Sequence, residues 1–125
     1  MAKRRAGAIG LSHLRITVAG DFYVGPGRAD LLELIVETGS ISEAAKRMGM
    51  SYKRAWSLVQ EMNDTFGAAL VETARGGAAQ GGAAVTDAGI EVVARYRHMQ
   101  EATREAIAAD VEALRQLKSD MSGKT

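Results

Sequence analysis

The 125-residue sequence contains no cysteine, one proline and two histidines, and aromatic residues make up only 5% of it. Without cysteine there is no disulfide framework, no thiolate metal site and no cysteine nucleophile. No apolar run reaches the roughly 18 residues that a membrane-spanning helix needs. Lys3, Arg4 and Arg5 are not followed by an apolar segment, so we expect no secretory signal. These absences predict a cytoplasmic protein with no membrane association.

The titratable residues fit none of the spacings that enzymes use. His13 and His98 lie far apart in the sequence and match no metal-ligand motif. The serines fall at predicted helix starts, where capping of backbone N–H groups explains them without a catalytic triad. Glu101 and Glu105 lie near basic residues on a predicted helix face, as solvated pairs do. The sequence therefore predicts a protein that is not an enzyme and holds no cofactor or metal.

The composition is that of one globular domain with a real core. Hydrophobic residues make up 46%, charged residues 25%, and the formal net charge is +1. The charge is unevenly distributed, because residues 1–60 hold nine Lys and Arg against five Asp and Glu, whereas residues 61–125 hold seven against ten. We expect the basic half to face a polyanion and the acidic half to point away from it.

The stretch from residue 40 to residue 66 has the pattern of a helix-turn-helix. Ser40 and Glu43 have the spacing of a capping box, which predicts the start of a short helix. Gly49 is placed to end that helix in a left-handed conformation, which glycine adopts at little cost. Ser51 is then placed to cap a second helix. Two helices joined in this way predict duplex DNA as the partner.

The second helix separates into faces at 100° per residue. Its apolar residues share one side and predict the core: Ala55, Leu58, Val59, Met62 and Phe66. Lys53, Ser57 and Gln60 fall on the opposite side and are candidates for reading base edges. Tyr52 and Arg54 lie on the two flanks and are candidates for shared contacts with bases and phosphates. An ordinary solvated amphipathic helix would show the same pattern, so the residues that follow carry further weight.

Two short apolar runs, at residues 70–73 and 84–86, surround a glycine-rich stretch. They predict a β-hairpin, and a hairpin directly after a recognition helix is the wing of a winged helix. Arg75 is the cation available in this loop for a contact with the DNA backbone or minor groove. The glycines also predict a mobile surface loop. A nucleotide-binding loop is a poor fit, since no Gly-Lys-Ser/Thr follows them.

The remaining segments complete a mainly α-helical α+β protein with small β-hairpins. Residues 1–10 are predicted to be a disordered basic arm, and residues 11–85 the winged helix-turn-helix domain. The alternation in residues 13–24, with a turn at Gly20 and Asp21, predicts either a β-hairpin or a strand with an extended return. Residues 28–38 are predicted to form an apolar helix that Gly39 ends.

Residues 86–119 are predicted to form a long helix, followed by a frayed tail at residues 120–125. Its apolar stripe recurs every three or four residues: Tyr96, Met99, Ile107, Val111, Leu114 and Leu117. A chain this short cannot cover such a helix along its length, so the stripe predicts a homodimer. The alternative is a single helix that lies across its own domain.

Three segments carry a resemblance to a known family. They are GPGR at residues 25–28, the run LLELIVETGSISEAAKRMGMSYKRAWSLVQEMN at residues 31–63, and the glycine-rich wing followed by VTDAG at residues 85–89. The segment at residues 49–56 is particularly specific. From residue 14 to about residue 101, the chain resembles the N-terminal DNA-binding domain of the ModE family, the molybdate-responsive regulators of bacteria. That domain is related in fold to LysR-type winged helices.

The resemblance implies a winged helix-turn-helix that binds its operator through the helix beginning at Ser51. Tyr52, Lys53 and Arg54 match the residues that open the family's recognition helix, and we expect Trp56 to pack beside the core and orient that helix. The family also forms homodimers through the first and last helices. The implied interface residues are Leu31, Leu34, Ile35, Tyr96, Met99, Ile107, Val111 and Leu114.

The sequence departs from the full-length family in one large respect. ModE proteins carry molybdate-binding domains after the long helix, whereas this chain reaches only Thr125. We therefore expect a stand-alone, dimeric, sequence-specific regulator of transcription with no assigned effector, and the resemblance suggests genes of molybdate transport or molybdoenzymes as its targets. One alternative is a protein-interaction module that modulates a full-length regulator through the long helix. Another is a nonspecific architectural DNA-binding protein, which would show a steep salt dependence.

Overall fold

A computed structural model describes residues 9–74 and 82–123. Within these ranges the chain forms two antiparallel two-stranded sheets and four helices, which confirms the predicted α+β class. In chain order the elements are β1 (Ile16–Ala19), β2 (Phe22–Val24), α1 (Pro26–Thr38), α2 (Ile41–Met48), α3 (Tyr52–Thr65), β3 (Val71–Thr73), β4 (Ala83–Val85) and α4 (Asp87–Gly123).

The N-terminal hairpin is shorter than the alternation of residues 13–24 predicts. Ile16 pairs with Val24, and a register shift lies between Thr17 and Ala19, just before the turn. Phe22 and Val24 are buried, and the Phe22 ring meets the Phe66 ring edge-on at 5.8 Å between centroids. The hairpin thus closes one end of the core that the helices build.

Helix α1 begins at Pro26, two residues before the predicted start at Arg28. Proline suits the first turn of a helix, because its fixed φ is helical and its missing N–H would have no partner there. Gly39 ends the helix at φ 70°, and its N–H donates to the Ile35 carbonyl at 2.7 Å. This left-handed glycine turns the chain directly into α2.

The start of α2 shows half of the predicted capping box. The Ser40 hydroxyl accepts a hydrogen bond from the Glu43 N–H at 2.9 Å, as predicted. The return bond is absent from the described residues, because the Ser40 N–H donates to the Thr38 hydroxyl at 3.2 Å. The Glu43 carboxylate instead lies 3.5 Å from the Lys46 ammonium.

The turn between α2 and α3 follows the predicted signals. Gly49 adopts φ 71° and its N–H donates to the Lys46 carbonyl at 3.1 Å. The Ser51 hydroxyl accepts from the Arg54 N–H at 3.0 Å and caps α3. Small buried residues on both helices favour a close crossing: Ala44 and Ala45 on α2 and Ala55 on α3 are all at most 1% exposed.

Helix α4 is longer than predicted at its C-terminal end. The Thr86 hydroxyl caps it by accepting from the Gly89 N–H at 3.1 Å. The helix ends at Gly123, so residues 120–123 continue it instead of following it as a separate segment. No glycine or proline lies between Gly89 and Gly123 to stop the helix earlier. Residues 1–8 of the predicted arm and residues 124–125 lie outside the described residues.

The first part of α4 packs on the chain's own domain. Tyr96 is 1% exposed, and its hydroxyl donates to the Leu14 carbonyl at 2.6 Å. The Arg97 guanidinium reaches α1, 2.7 Å from both the Asp30 and Glu33 carboxylates. Hydrogen bonds from the arginine to these two acids raise its pKa, so it remains charged throughout the ordinary pH range.

Burial corrects the predicted dimer interface. Leu31 and Ile35 on α1 and Tyr96 on α4 are at most 1% exposed within a single chain, so they pack inside its core. A side chain without free surface has no area left for a second copy. Beyond Gln100, none of the side chains described, at residues 101–118, is buried. The first part of α4 therefore lies across its own domain, and the second part leaves it.

Candidate nucleic-acid interface

Helix α3 presents the polar face that its sequence predicts. Lys53 and Ser57 are exposed and Gln60 is half-buried, whereas the opposite side of the helix lies in the core. Tyr52 is 54% exposed on the flank that faces the second sheet. Trp56 differs from its expected place beside the core, because 43% of it is exposed on that same flank.

Among the described residues of the helix-turn-helix, the cations without an acidic partner lie at the start of α3. On α2, Lys46 lies 3.5 Å from Glu43 of the same helix, and the adjacent Arg47 lies 3.7 Å from Glu37 of α1. In the part of the chain that the structure describes, neither Lys53 nor Arg54 forms an ion pair. Their charge is therefore free for an anionic partner in front of α3.

Arg28, the arginine of the GPGR segment, has a structural position behind this face. Its guanidinium pairs with the Glu61 carboxylate of α3 and lies 4.6 Å from the Tyr23 ring centre. The pairing neutralises an acid that would otherwise repel a polyanion near the recognition face. A cleft of about 180 Å³ lies beside it and is lined by His13 and Arg54 among others.

Asn63 joins α3 to the second sheet, a role that no pattern in the sequence predicted. Its side-chain carbonyl accepts from the Leu70 N–H at 2.7 Å and the Val71 N–H at 3.1 Å. Its amide donates to the Val71 carbonyl at 3.0 Å. The one available signal is a polar residue on the flank of a helix just before a predicted strand. These three bonds fix the position of the sheet relative to the recognition helix.

The second sheet is the base of a wing. Val71 pairs with Val85 and Thr73 with Ala83, close to the predicted strands. The Ala83 N–H donates to the Gly39 carbonyl at 2.9 Å, which ties β4 to the turn between α1 and α2. Residues 75–81, which include Arg75 and most of the predicted loop, lie outside the described residues.

Gly89 allows α4 to start close against the wing. A Cβ atom at this position would lie 2.5 Å from the Leu70 carbonyl oxygen and 2.5 Å from a Val85 methyl group. The Thr86 hydroxyl, one turn earlier, donates to the Ala69 carbonyl at 2.7 Å. The VTDAG segment therefore joins β4 and the start of α4 to the residues just before β3.

The acidic and histidine side chains are dispersed over the described surface. Across residues 9–74 and 82–123, no group of three or more His, Cys, Asp and Glu side chains is placed to hold a metal ion. Within the same ranges, none of the helices has the length and apolar character of a membrane span.

A helix-turn-helix with an exposed second helix, followed by a two-stranded sheet pinned to that helix, defines a winged helix-turn-helix protein. Residues 28–90 match the family model described as bacterial regulatory helix-turn-helix protein, lysR family. The chain belongs to this family, and it carries the family's DNA-binding domain.

Individual relatives share the same region. The chain is 49% identical over 73 residues to the molybdenum-pterin-binding protein MopB of Rhodobacter capsulatus, covering 58% of this chain and 27% of the relative. It is 39% identical over 97 residues to MopA of the same organism, covering 78% and 37%. It is 36% identical over 103 residues to the DNA-binding transcriptional dual regulator ModE of Escherichia coli K12, covering 81% and 39%.

These similarities confirm the resemblance to ModE regulators. The chain spans between about a quarter and two fifths of the length of these three relatives. The similarity covers the N-terminal region that holds the helix-turn-helix, so it bears on the DNA-binding domain rather than on the whole of each relative.

Proposed function

We propose that this chain is a sequence-specific DNA-binding regulator of transcription that acts as a homodimer. One observation carries the proposal: α3 exposes a polar face whose two cations, Lys53 and Arg54, form no ion pair among the described residues. An exposed recognition helix with free positive charge at its N-terminal end suits insertion into a major groove.

The roles on α3 follow from its faces. Lys53, Ser57 and Gln60 point outward and are assigned to base edges, since each can donate a hydrogen bond to a base acceptor. Arg54 is on the flank beside the 180 Å³ cleft and is assigned to phosphates as well as bases. The Ser51 hydroxyl accepts from its own helix and keeps its hydrogen for a phosphate oxygen. Arg75 is assigned to the DNA backbone or the minor groove.

The dimer is proposed to form through the second part of α4. Ile107 and Val111 are half-buried and Leu114 is 65% exposed, on the same stripe as Met99. Leu34 packs at the edge of the core and is the α1 residue kept in this interface. Pairing of two copies would bury apolar surface that one chain leaves in water, and it would present two recognition helices to a two-fold operator.

The regulated process is proposed from the relatives. Their names connect them with molybdenum binding, molybdenum transport and transcription, so genes of molybdenum uptake or use are the first candidates. The proposed location is the cytoplasm, and no enzymatic activity and no effector are assigned to this chain.

The proposal is tested by selecting bound sequences from a pool of random DNA duplexes at near-physiological salt. Enrichment of a palindromic site is the expected result. Binding without enrichment would point to an architectural DNA-binding protein, and no binding to any duplex would contradict the proposal. Sedimentation of the free protein tests the dimer separately, because a monomer at all accessible concentrations would exclude it.

Replacing the two free cations tests the recognition helix. The double substitution Lys53→Ala and Arg54→Ala should weaken operator binding by roughly 1–3 kcal/mol for each well-formed bond to DNA that it removes. Labelled-duplex anisotropy measures the effect. Lys46→Ala is the matched control, since that ammonium already lies beside Glu43. If the folded double variant bound as tightly as the parent, the assignment of α3 as the recognition helix would be wrong.

The second candidate is a protein-interaction module built on α4. It is favoured by the length of helix that leaves the domain, because residues 101–118 include no buried side chain. In this case the chain would pair with a full-length regulator in preference to itself. Mixing the purified chain with such a regulator and measuring the mass of the complex would separate the two candidates.

A further inference from the structure

An open groove of about 570 Å³ lies between the recognition helix and the wing. Three elements line it: the N-terminal end of α2, the flank of α3 and the facing strands of the second sheet. It holds the two exposed aromatic side chains of the helix-turn-helix, Tyr52 at 54% and Trp56 at 43% exposure. Two exposed aromatic rings side by side form an apolar patch, and such patches are typical of surfaces that bind a partner.

The lining combines two kinds of chemistry. Tyr52 and Trp56, one helical turn apart, provide apolar ring surface on one wall. Hydroxyl groups of Ser40, Ser42 and Thr73 provide hydrogen-bond donors on the others. No carboxylate is among the lining residues in the described part of the chain. A surface with apolar and donor groups but no negative charge matches a sugar–phosphate chain, which alternates apolar rings with anions.

The end of α2 strengthens the match with phosphate. The first N–H groups of a helix have no acceptor within it, and the helix dipole makes this end attractive to anions. The Ser40 hydroxyl satisfies the Glu43 N–H, which leaves the N–H groups of Ile41 and Ser42 next to the groove. These groups and the rings lie on different walls, so one strand could meet both.

The groove is also continuous with the base-reading face. At 100° per residue, Trp56 lies between the flank that holds Tyr52 and the outward side that holds Lys53 and Gln60. A duplex that meets Lys53 and Ser57 in its major groove must place one backbone strand beside this flank. We propose that this strand runs through the groove, with its deoxyriboses packed on Trp56 and Tyr52 and its phosphates bound at the N-terminal end of α2. The assignment rests on the proposed function and names Trp56 as a further DNA-binding residue.

Trp56 provides its own probe, because it is the only tryptophan of the chain. Titrating the unmodified protein with the duplex enriched from the random pool should change the intensity and wavelength of its emission in step with binding. A fluorescent label on the DNA reports binding independently, through anisotropy. The same titration with a single nucleoside monophosphate shows whether a free nucleotide suffices.

Two substitutions of Trp56 distinguish the contribution of its ring to DNA binding from an effect on folding. Trp56→Ala should weaken duplex binding roughly tenfold, because it removes a large apolar surface. Trp56→Phe should recover most of the affinity, since a smaller ring still packs on a sugar. Neither change removes a charge, so the dependence of binding on salt concentration should stay as in the parent. Val36→Ala is the matched control, because Val36 is 55% exposed on α1 and does not line the groove.

The outcomes distinguish this assignment from the proposed function. If the labelled duplex binds but Trp56 emission is unchanged and folded Trp56→Ala binds within about twofold of the parent, the groove assignment is wrong and the regulator remains. If no duplex binds the unmodified protein, the proposed function fails and the assignment fails with it. If Trp56 responds to the free nucleotide as strongly as to the duplex, the groove is a small-ligand site and the strand is excluded.

Discussion

The two parts of α4 differ in what they contact, although one uninterrupted helix joins them. Residues 87–100 hold Tyr96, whose hydroxyl reaches Leu14, and Arg97, whose guanidinium reaches α1. In residues 101–118, the side-chain bonds that the structure describes are local, such as Arg104 with Glu101 and Gln116 with Glu112. Hydrogen bonds from Gln116 and Arg115 hold the pKa of Glu112 below its usual range.

This difference separates helix formation from helix docking. Strong helix-forming residues and pairs three or four positions apart favour a helix in both parts. Such pairs contribute little at an exposed surface, and isolated helices are marginal in water. The first part therefore owes its position to tertiary packing. The second part has an apolar stripe that no other described element of the chain buries, which is why the dimer is proposed there.

The largest expected effect comes from removing the ring that docks the first part. Tyr96→Ala should lower the free energy of unfolding by about 3–5 kcal/mol, because a fully buried aromatic side chain leaves a cavity. Urea denaturation measures the change. The matched substitution in the second part is Leu114→Ala, at a side chain that is 65% exposed.

At protein concentrations that keep the chain monomeric, Leu114→Ala should cost less than about 0.5 kcal/mol. Its effect should grow as concentration rises, because stability linked to association depends on concentration. Equal losses of stability for the two variants in the monomer would contradict the division of α4 into a docked part and a free part.

A smaller effect is expected at the point where the docked part begins. Gly89→Ala should cost about 1–3 kcal/mol, because the added methyl group overlaps the Leu70 carbonyl oxygen and must displace backbone. Gly27→Ala is the control, since a Cβ atom there has no neighbour within 4 Å. The control should hold or raise the melting temperature, because alanine favours a helix. A neutral Gly89→Ala variant would mean that α4 does not approach the wing this closely.

The smallest effect is a pH dependence confined to the docked part. Burial raises the pKa of the Tyr96 hydroxyl above 10.0, so the folded chain favours the neutral form. This contribution to stability is fully present below pH 10 and is lost as the pH rises through the higher folded-state pKa. The parent should therefore lose more stability than Tyr96→Phe between neutral and strongly alkaline pH. If both proteins lost the same stability over this pH range, burial of the Tyr96 hydroxyl would not contribute to the pH dependence.

Local signals in the sequence predict the order of elements well. Ser40, Gly49 and Ser51 act within three or four residues of themselves, so their roles as caps and turn do not depend on the rest of the fold. The faces of α3 follow from helical periodicity for the same reason. The wing strands need only two short apolar runs on either side of glycines.

The sequence-based predictions fail where they must say which surface an apolar side chain packs against or which group a polar side chain bonds to. Periodicity marks Leu31, Ile35 and Tyr96 as apolar positions, but it does not say whether such a face packs on its own chain or on another. Trp56 is predicted to lie beside the core, yet 43% of the tryptophan is exposed on the flank of α3. The buried face of that helix is formed by Ala55, Leu58, Val59 and Met62. The role of Asn63 escapes prediction because its three bonds reach residues seven and eight positions away.

Besides fixing the position of the wing, Asn63 covers part of the outer edge of β3. Its amide group bonds to both the N–H and the carbonyl of Val71, as the peptide group of an adjacent strand would. In an antiparallel ladder these two groups of one residue point to the same side, which here is the side away from β4. The side chain thus replaces a missing third strand at the outer edge of β3. Unpaired strand edges recruit other chains into aggregates, so one asparagine on the recognition helix also helps to keep this small sheet from adding strands.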